Sequence, residues 1–517
     1  MLLPGLAGEH ARRGRVGARL IERFLPDEAA TAQLGEDLAQ ALRPGDVLAL
    51  SGDLGAGKTS LARGLIRAVA EDPDLEVVSP TFTLVQAYEL RLPIHHFDLY
   101  RTASPDELRE LGLDEALERG AAVIEWPERA DTLPPDTLHV TLTHEGDGRR
   151  AVVAGQGAPM ARVERSLGLR DFLVSAGWGG AVRRHLTGDA SARGYETVAL
   201  PGSRPRILMN SPPLALGKPV KDGKTYAEIA HTSRTVAAFV GMDRALAAAG
   251  LSVPEIYAQD LDRGFLLIEN LGSEGIVDAE GRPIAERYEA AAELLAAFHR
   301  KPWTRRAPVA PGLFHDIPPF DRGALAIEVE LLLEWYIPRF TGKPADAGLR
   351  REFAAVWDGL FDRLERAETG IVQRDYHSPN LIWRADRAGH DRLGVIDFQD
   401  ALIGPTAYDV ASLAMDARVT IPPELERRVA AAYADARKAQ GAFDADGFAE
   451  AYAITAAQRN SKILGIFVRL DERDGKPHYL KHLPRIRDYL GRACRHPALA
   501  ALAALYRRHG VLDGDPA

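Results

Sequence analysis

Apolar positions along the chain change their period several times, and each change marks an element. After Phe24-Leu25-Pro26-Asp27, the residues Leu34, Leu38 and Leu42 recur at helical spacing and predict a helix over Glu28–Ala41. Arg43-Pro44-Gly45-Asp46 has turn chemistry, and the run 47–50 then reads as a short buried strand. A glycine-rich turn follows, and 60–69 returns to helical character. The run 121–124 is another apolar strand, and two closing strands, 137–143 and 150–154, flank the turn Glu145-Gly146-Asp147-Gly148. Gly155-Gln156-Gly157-Ala158-Pro159 breaks the pattern before an amphipathic helix over 162–176. Beyond it, strands at 183–186, 195–200, 206–209 and 264–269 precede helices at 286–298, 324–336 and 350–366. This succession predicts a lead-in over 1–17, a first domain over 18–157, a linker over 158–163 and a second domain over 164–512.

Composition narrows the class. A chain of 517 residues exceeds one core and suggests about two to four domains. With 46% hydrophobic and 26% charged residues, it is of ordinary globular type. Cys494 is the single cysteine, which excludes an internal disulfide and a cysteine-built metal site and makes a cytoplasmic location the default. No apolar run approaches the roughly 20 residues that span a bilayer. The apolar run at the start is too short for a secretory signal, so 1–17 reads as a disordered lead-in or an over-extended gene start. Residues 1–160 hold 26 acidic against 16 basic side chains, whereas the remainder is nearly balanced. An acidic first domain is a poor phosphate-neutralising surface, so any work on nucleic acid would pass through a protein partner.

The glycine-rich turn is Gly52-Asp53-Leu54-Gly55-Ala56-Gly57-Lys58-Thr59-Ser60, which fits G-x4-G-K-[ST] between a strand and a helix. Its glycines let backbone N–H groups close around phosphates at a helix N-terminus. Lys58 is placed to reach the β- and γ-phosphates of ATP, and the Thr59 hydroxyl to ligate Mg²⁺. Asp98 and Glu125 each follow a strand-like segment, a usual position for carboxylates that hold Mg²⁺ or orient water. Thr81 is placed to sense the γ-phosphate. Trp126 is equally a core residue or a nucleotide or partner contact. His95 and His96 resemble a metal pair, but neighbours on a strand face opposite ways, which favours a structural role.

Several further motifs accompany that loop: Ser79-Pro80-Thr81-Phe82-Thr83-Leu84, His96-Phe97-Asp98-Leu99-Tyr100-Arg101, Glu107-Leu108, Gly112-Leu113-Asp114-Glu115 and Glu125-Trp126-Pro127-Glu128. In this order they closely resemble the TsaE family, which supplies the ATPase subunit of the bacterial complex that makes threonylcarbamoyladenosine in tRNA. The resemblance implies an α/β P-loop NTPase domain whose ATP hydrolysis resets or licenses the complex. The other subunits would be its partners, and tRNA would be met only indirectly. A switch or scaffold role with incidental hydrolysis stays open.

In the second domain, Asp375-x-x-x-x-Asn380 precedes an apolar run, 393–396, that ends in Asp397-Phe398-Gln399. Phosphoryl transfer from ATP needs a carboxylate to receive the acceptor's proton, and an amide and a carboxylate to hold Mg²⁺. The set resembles the aminoglycoside phosphotransferase family, which implies an α+β protein-kinase-like (aminoglycoside phosphotransferase) domain. The small-residue loop bearing Ser191 and Arg193 would cover ATP phosphates, although it lacks G-x-G-x-x-G. The stretch Glu269-Asn270-Leu271-Gly272 resembles the family's adenine-holding hinge, with Glu269 and Leu271 as its contacts. Asp409 in Gly404-Pro405-Thr406-Ala407-Tyr408-Asp409 matches an aspartate that stabilises the catalytic loop. The pattern departs from the family at Met209, where a basic residue is usual, and no glutamate stands obviously opposite. Arg193, Lys218, Lys221 or Lys224 are the candidate substitutes.

The run 458–470 and Met415-Asp416-Ala417-Arg418-Val419 resemble N-acetylmuramate/N-acetylglucosamine 1-kinases of cell-wall recycling. That implies an amino-sugar acceptor phosphorylated at its anomeric hydroxyl, with Arg418, Arg459 or Lys462 facing a lactyl carboxylate. A charged helix face paired within its own lobe explains those three equally well. Other acceptors (aminoglycosides, choline, homoserine) and a non-catalytic, ATP-binding regulator remain open.

Overall fold

The computed structural model describes residues 19–102, 110–186 and 193–512. The lead-in, Glu107-Leu108 and Ser191 lie outside them. The chain forms two compact units. One comprises residues 1–210 with 265–267, and the other 211–264 with 268–517.

The first unit is built on a seven-stranded sheet. Its strands are β1 (Arg19–Leu25), β2 (Val47–Ser51), β3 (Val85–Tyr88), β4 (Ile94–Asp98), β5 (Ala121–Glu125), β6 (Leu138–Glu145) and β7 (Gly148–Gly155), in the order β1-β7-β6-β2-β5-β4-β3. The central strands β6, β2, β5 and β4 run parallel, and β2 and β5 are apolar and almost wholly buried as strands covered on both faces must be. Helix α1 (Glu28–Ala41) begins at Asp27, whose side chain accepts from Ala30 N–H. It packs on α2 (Lys58–Ala70) through Gly35 and Gly64, where any Cβ would run into the facing helix's backbone. That close approach fixes the helix carrying Lys58 and Thr59 against α1.

The break predicted at 155–163 is a helix start. Helix α3 (Gly157–Ser175) runs through the expected linker, with Pro159 in its first turn, where a missing N–H costs nothing. Nor does the unit stop there. It continues into β8 (Val182–Leu186), β9 (Gly194–Ala199) and β10 (Arg206–Asn210), antiparallel strands of a second sheet. A buried ionic cluster explains the continuity. Asp37 of α1 accepts from Arg170 at 2.9 Å and from Arg183 at 2.7 Å, and Arg183 forks onto Glu196 at 2.6 and 2.8 Å. Arg170 also reaches Glu36 at 2.6 Å. Arg183 has no exposed surface.

The second unit is mainly helical. Helix Ala445–Glu472 is its axis and is buried along most of its middle. Gly465 lets that helix lie against the backbone of Leu331. The helix expected over 324–336 is α-helical only over Arg322–Leu331 and widens into a π turn at Leu332–Tyr336. Two short antiparallel ladders, Thr369–Val372 with Leu402–Pro405 and Leu381–Trp383 with Leu393–Val395, carry the loops that matter for chemistry. Among the described residues no helix is long and apolar enough to cross a membrane.

Candidate functional site

In the first unit β2 delivers the glycine loop to the start of α2. Gly52, Gly55 and Gly57 take φ of 141°, 79° and 105°, the region open to glycine at little cost. Gly52 also lies against the carbonyl of Leu142 on β6, where a Cβ has no room. Lys58 folds back along the loop, donating to the carbonyls of Gly52 (2.7 Å) and Asp53 (3.0 Å), and its ammonium stands 3.6 Å from the centre of the Trp126 ring. Burial lowers its pKa, while Glu125, Glu128, Asp98 and Asp53 pull the other way. Ala56 donates to Asp53 at 3.1 Å, Leu54 is exposed, and Ser60 bonds Glu28 of α1 at 3.1 Å.

Parallel pairing sets Asp98 beside Glu125 at the ends of β4 and β5. The Thr59 hydroxyl donates to Glu125 at 3.0 Å. Asp98 accepts from Thr81 at 2.8 Å, from the Ser79 hydroxyl, and from Tyr100 N–H at 3.0 Å. The loop thus gathers hydroxyl and carboxylate oxygens, the hard donors that Mg²⁺ takes. Among the described residues no three acidic, histidine or cysteine side chains converge as a metal cage. Such a donor set suits an ion held by one or two carboxylates and by substrate phosphates. His96 Nε2 lies 2.9 Å from Glu125, both buried, so this histidine braces a carboxylate of the site. Strand alternation concealed this contact, because the partner sits on a neighbouring strand.

In the second unit the expected carboxylates and amide gather on one hairpin. Asn380 Nδ2 donates to the Asp375 carbonyl at 2.9 Å, and Ile396 N–H, just before Asp397, donates to the Asn380 carbonyl at 3.1 Å. Arg374 and Asp397 both have positive φ, 69° and 59°, which is strained for residues with a Cβ and marks a functional turn. Asp409 is fully buried and accepts from the N–H groups of Gln373 (2.6 Å) and Arg374 (3.0 Å), so it braces the catalytic loop. The Asp375 side chain is half exposed. Desolvation opposes its ionisation, but His377, Lys462, Arg459 and Arg374 outweigh it and hold its pKa below the ordinary value. Beneath it lies a buried cluster in which Glu328 accepts from Arg374, from Lys462 at 2.9 Å and from Gln458 at 2.9 Å.

The remaining expected residues fall in several places. Lys462 is committed to Glu328, as a helix face paired within its lobe would be. Arg459 is 3% exposed and its NH1 has no hydrogen-bond partner. The Arg418 guanidinium lies 5.4 Å from the Tyr479 ring centre, and the Arg418 backbone N–H donates to the Asp416 carboxylate. Glu269 accepts from Arg384 at 2.8 Å, and Leu271 packs against Gly394. Arg193 immediately precedes β9. Met209 is fully buried on β10. Lys221 forms an exposed pair with Glu330, and Glu228 closes a capping box with Thr225.

Comparison with known proteins also finds two parts, but places the change between residues 152 and 183, ahead of β8–β10. Residues 25–152 match the threonylcarbamoyl adenosine biosynthesis protein TsaE family, and residues 183–444 match the phosphotransferase enzyme family. An N-acetylmuramate/N-acetylglucosamine kinase of Caulobacter vibrioides is 35% identical over 358 residues, 67% of this chain and 97% of the relative. The protein of that name in Pseudomonas aeruginosa is 35% identical over 352 residues, 65% of this chain and 92% of the relative. A tRNA threonylcarbamoyladenosine biosynthesis protein TsaE of Rickettsia felis is 41% identical over 129 residues, 25% of this chain and 75% of the relative. The chain belongs to the TsaE family through its first part and to the phosphotransferase enzyme family through its second.

Proposed function

We propose that the protein is bifunctional. Its first part is an ATPase subunit that supports threonylcarbamoyladenosine modification of tRNA by acting on the other subunits of that complex. Its second part is an ATP-dependent kinase that phosphorylates N-acetylmuramate and N-acetylglucosamine at the anomeric hydroxyl. The observation that carries this reading is the Thr59–Glu125 bond beside Asp98 at the glycine loop, together with Asp375, Asn380 and Asp397 brought to one hairpin of the second unit by backbone hydrogen bonds.

Thr59, Asp98 and Glu125 would hold Mg²⁺ at the first site, and Asn380 and Asp397 at the second. When bound, Mg²⁺ neutralises charge on the β- and γ-phosphates. At the first site the glycine-loop N–H groups bind the phosphates, Lys58 leaves its two carbonyls for them, and Thr81 follows the γ-phosphate from its bond to Asp98. Glu125, kept in place by His96, orients the attacking water. At the second site Asp375 takes the proton of the acceptor hydroxyl; its lowered pKa keeps it ready as a base. The hinge at Glu269 and Leu271 offers backbone to adenine. Arg459, buried without a partner for NH1, is the residue placed to meet an acceptor carboxylate.

A non-catalytic regulator is the second reading, favoured by buried Met209. One experiment separates them: ADP release by the intact chain with each amino sugar, the product examined for phosphate at the anomeric carbon. Phosphorylation of choline, homoserine or an aminoglycoside but of no amino sugar overturns the acceptor assignment. No acceptor-dependent ADP release at all favours the regulator.

A further inference from the structure

The β6–β7 hairpin does more than close the sheet, because it walls the glycine loop at both ends. Leu142 of β6 lies against Gly52. At the other end Arg149, near the start of β7, lies across Gly57: a Cβ there would stand 3.0 Å from Nε, 3.3 Å from Cδ and 3.6 Å from Cζ of the arginine. Only a glycine at 57 lets the guanidinium lie this close to the loop backbone. Arg149 Nε is buried and has no hydrogen-bond partner, and the side chain makes no ion pair among the described residues. Its neighbour Arg150 is fully engaged with Glu145 and Glu22. Buried donors are almost always satisfied in folded proteins, and this one lies beside an anion-binding loop, where a phosphate oxygen would satisfy it. Lys58 serves the first residues of the loop, Gly52 and Asp53, and Arg149 serves its end.

We propose that Arg149 is a phosphate-contacting catalytic residue of the first nucleotide site, supplied in cis by the closing hairpin. This rests on the reading that the glycine loop binds ATP. In hydrolysis a water oxygen bonds to the γ-phosphorus while the bond to the β–γ bridging oxygen breaks. ADP leaves with that electron pair, and the water's proton is released. Arg149 neither gains nor loses a proton. Its planar fork stabilises charge on the phosphate oxygens, as preorganised donors do.

The test uses the intact chain without acceptor sugar, comparing wild type, Lys58→Ala, Arg149→Gln and Arg149→Lys by calorimetry with ATP and by ATP turnover. The part of each signal abolished by Lys58→Ala reports the first site. Arg149→Gln is expected to weaken ATP binding there about tenfold and to lower its turnover about 100-fold, leaving the other nucleotide equivalent unchanged. Arg149→Lys should recover affinity but not turnover, because a point charge does not replace a fork. Wild-type binding and turnover in Arg149→Gln overturn the proposal. Should that variant not fold, full turnover by Arg149→Lys does the same. A wild-type chain with no Lys58-dependent binding overturns the reading of the site itself.

Discussion

Replacing Arg183 with methionine tests whether the P-loop sheet and the strands after α3 form one body. Arg183 is fully buried and donates to Asp37 at 2.7 Å, to the Ser166 carbonyl at 3.0 Å and twice to Glu196. Burial opposes its charge, yet Glu196 and Asp37 outweigh it and raise its pKa. Methionine fills much of the space but strands the carboxylates. Removing one partner of a buried ion pair costs about 3–5 kcal/mol. Asp37 keeps Arg170, and Glu196 retains 12% exposure through which water can reach it. Both put the cost at the lower bound, about 3 kcal/mol. In a folding unit of this size that lowers the melting temperature by about 6–12 °C. The assay is calorimetric unfolding of the intact chain, following the transition that ATP raises in wild type but not in Lys58→Ala. A shift below about 2 °C refutes the reasoning. Adding Glu196→Gln should restore part of the loss, since the residues couple through one contact. A fragment beginning near residue 160 would lose Glu36 and Asp37 while keeping Arg170 and Arg183, and is expected to misfold.

Asp375→Asn should lower acceptor-dependent ADP release about 10²–10⁴-fold, the range for losing a general base, while ATP binding at the second site persists. The lowered pKa of Asp375 predicts that the acid limb of kcat/KM falls below the ordinary carboxylate range; a limb near neutrality would argue against it as the base. Burial raises Asp409 to about 7, against the backbone donors Gln373 and Arg374. The folded chain then holds a proton that the unfolded chain releases. That contribution is complete below the ordinary carboxylate value and is lost as pH rises through about 7. Thermal scans of wild type and Asp409→Asn between these limits should diverge accordingly, and parallel curves would dismiss the shift. Lys462→Met should destabilise the second unit by about 3–5 kcal/mol with little change in acceptor KM. A large KM effect at intact stability would return Lys462 to the substrate.

What the sequence disclosed was mostly contiguous. The glycine loop and the Asp375–Asn380–Asp397 set are read from local spacing, because the backbone proposed to bind phosphate and the hairpin proposed to carry the base are each one short stretch. The bounds of α1 were legible for the same reason, its Asp27 cap lying one residue ahead. Arg149 and His96 were not, because their partners, Gly57 and Glu125, belong to other elements brought near only by sheet pairing. The misplaced linker has a different cause. Glycine and proline at 157–159 signal a break, yet the first turn of a helix accepts both, and only Arg170 and Arg183 meeting Asp37 reveal that the fold carries on. Lys462 illustrates a third limit: a lone cation on a helix gives no sign of whether Glu328 or a ligand will claim it.

The stacking of the Lys58 ammonium over Trp126 equips the molecule with an optical probe of its own. An ammonium withdrawn from an indole face alters the emission of that ring, and of the six tryptophans this is the one in cation contact with the glycine loop. Titrating ATP while watching emission, and taking the part of the change that Trp126→Phe abolishes, would therefore report loading of a single compartment in a chain that consumes the same fuel twice, with no label attached and neither half cut away.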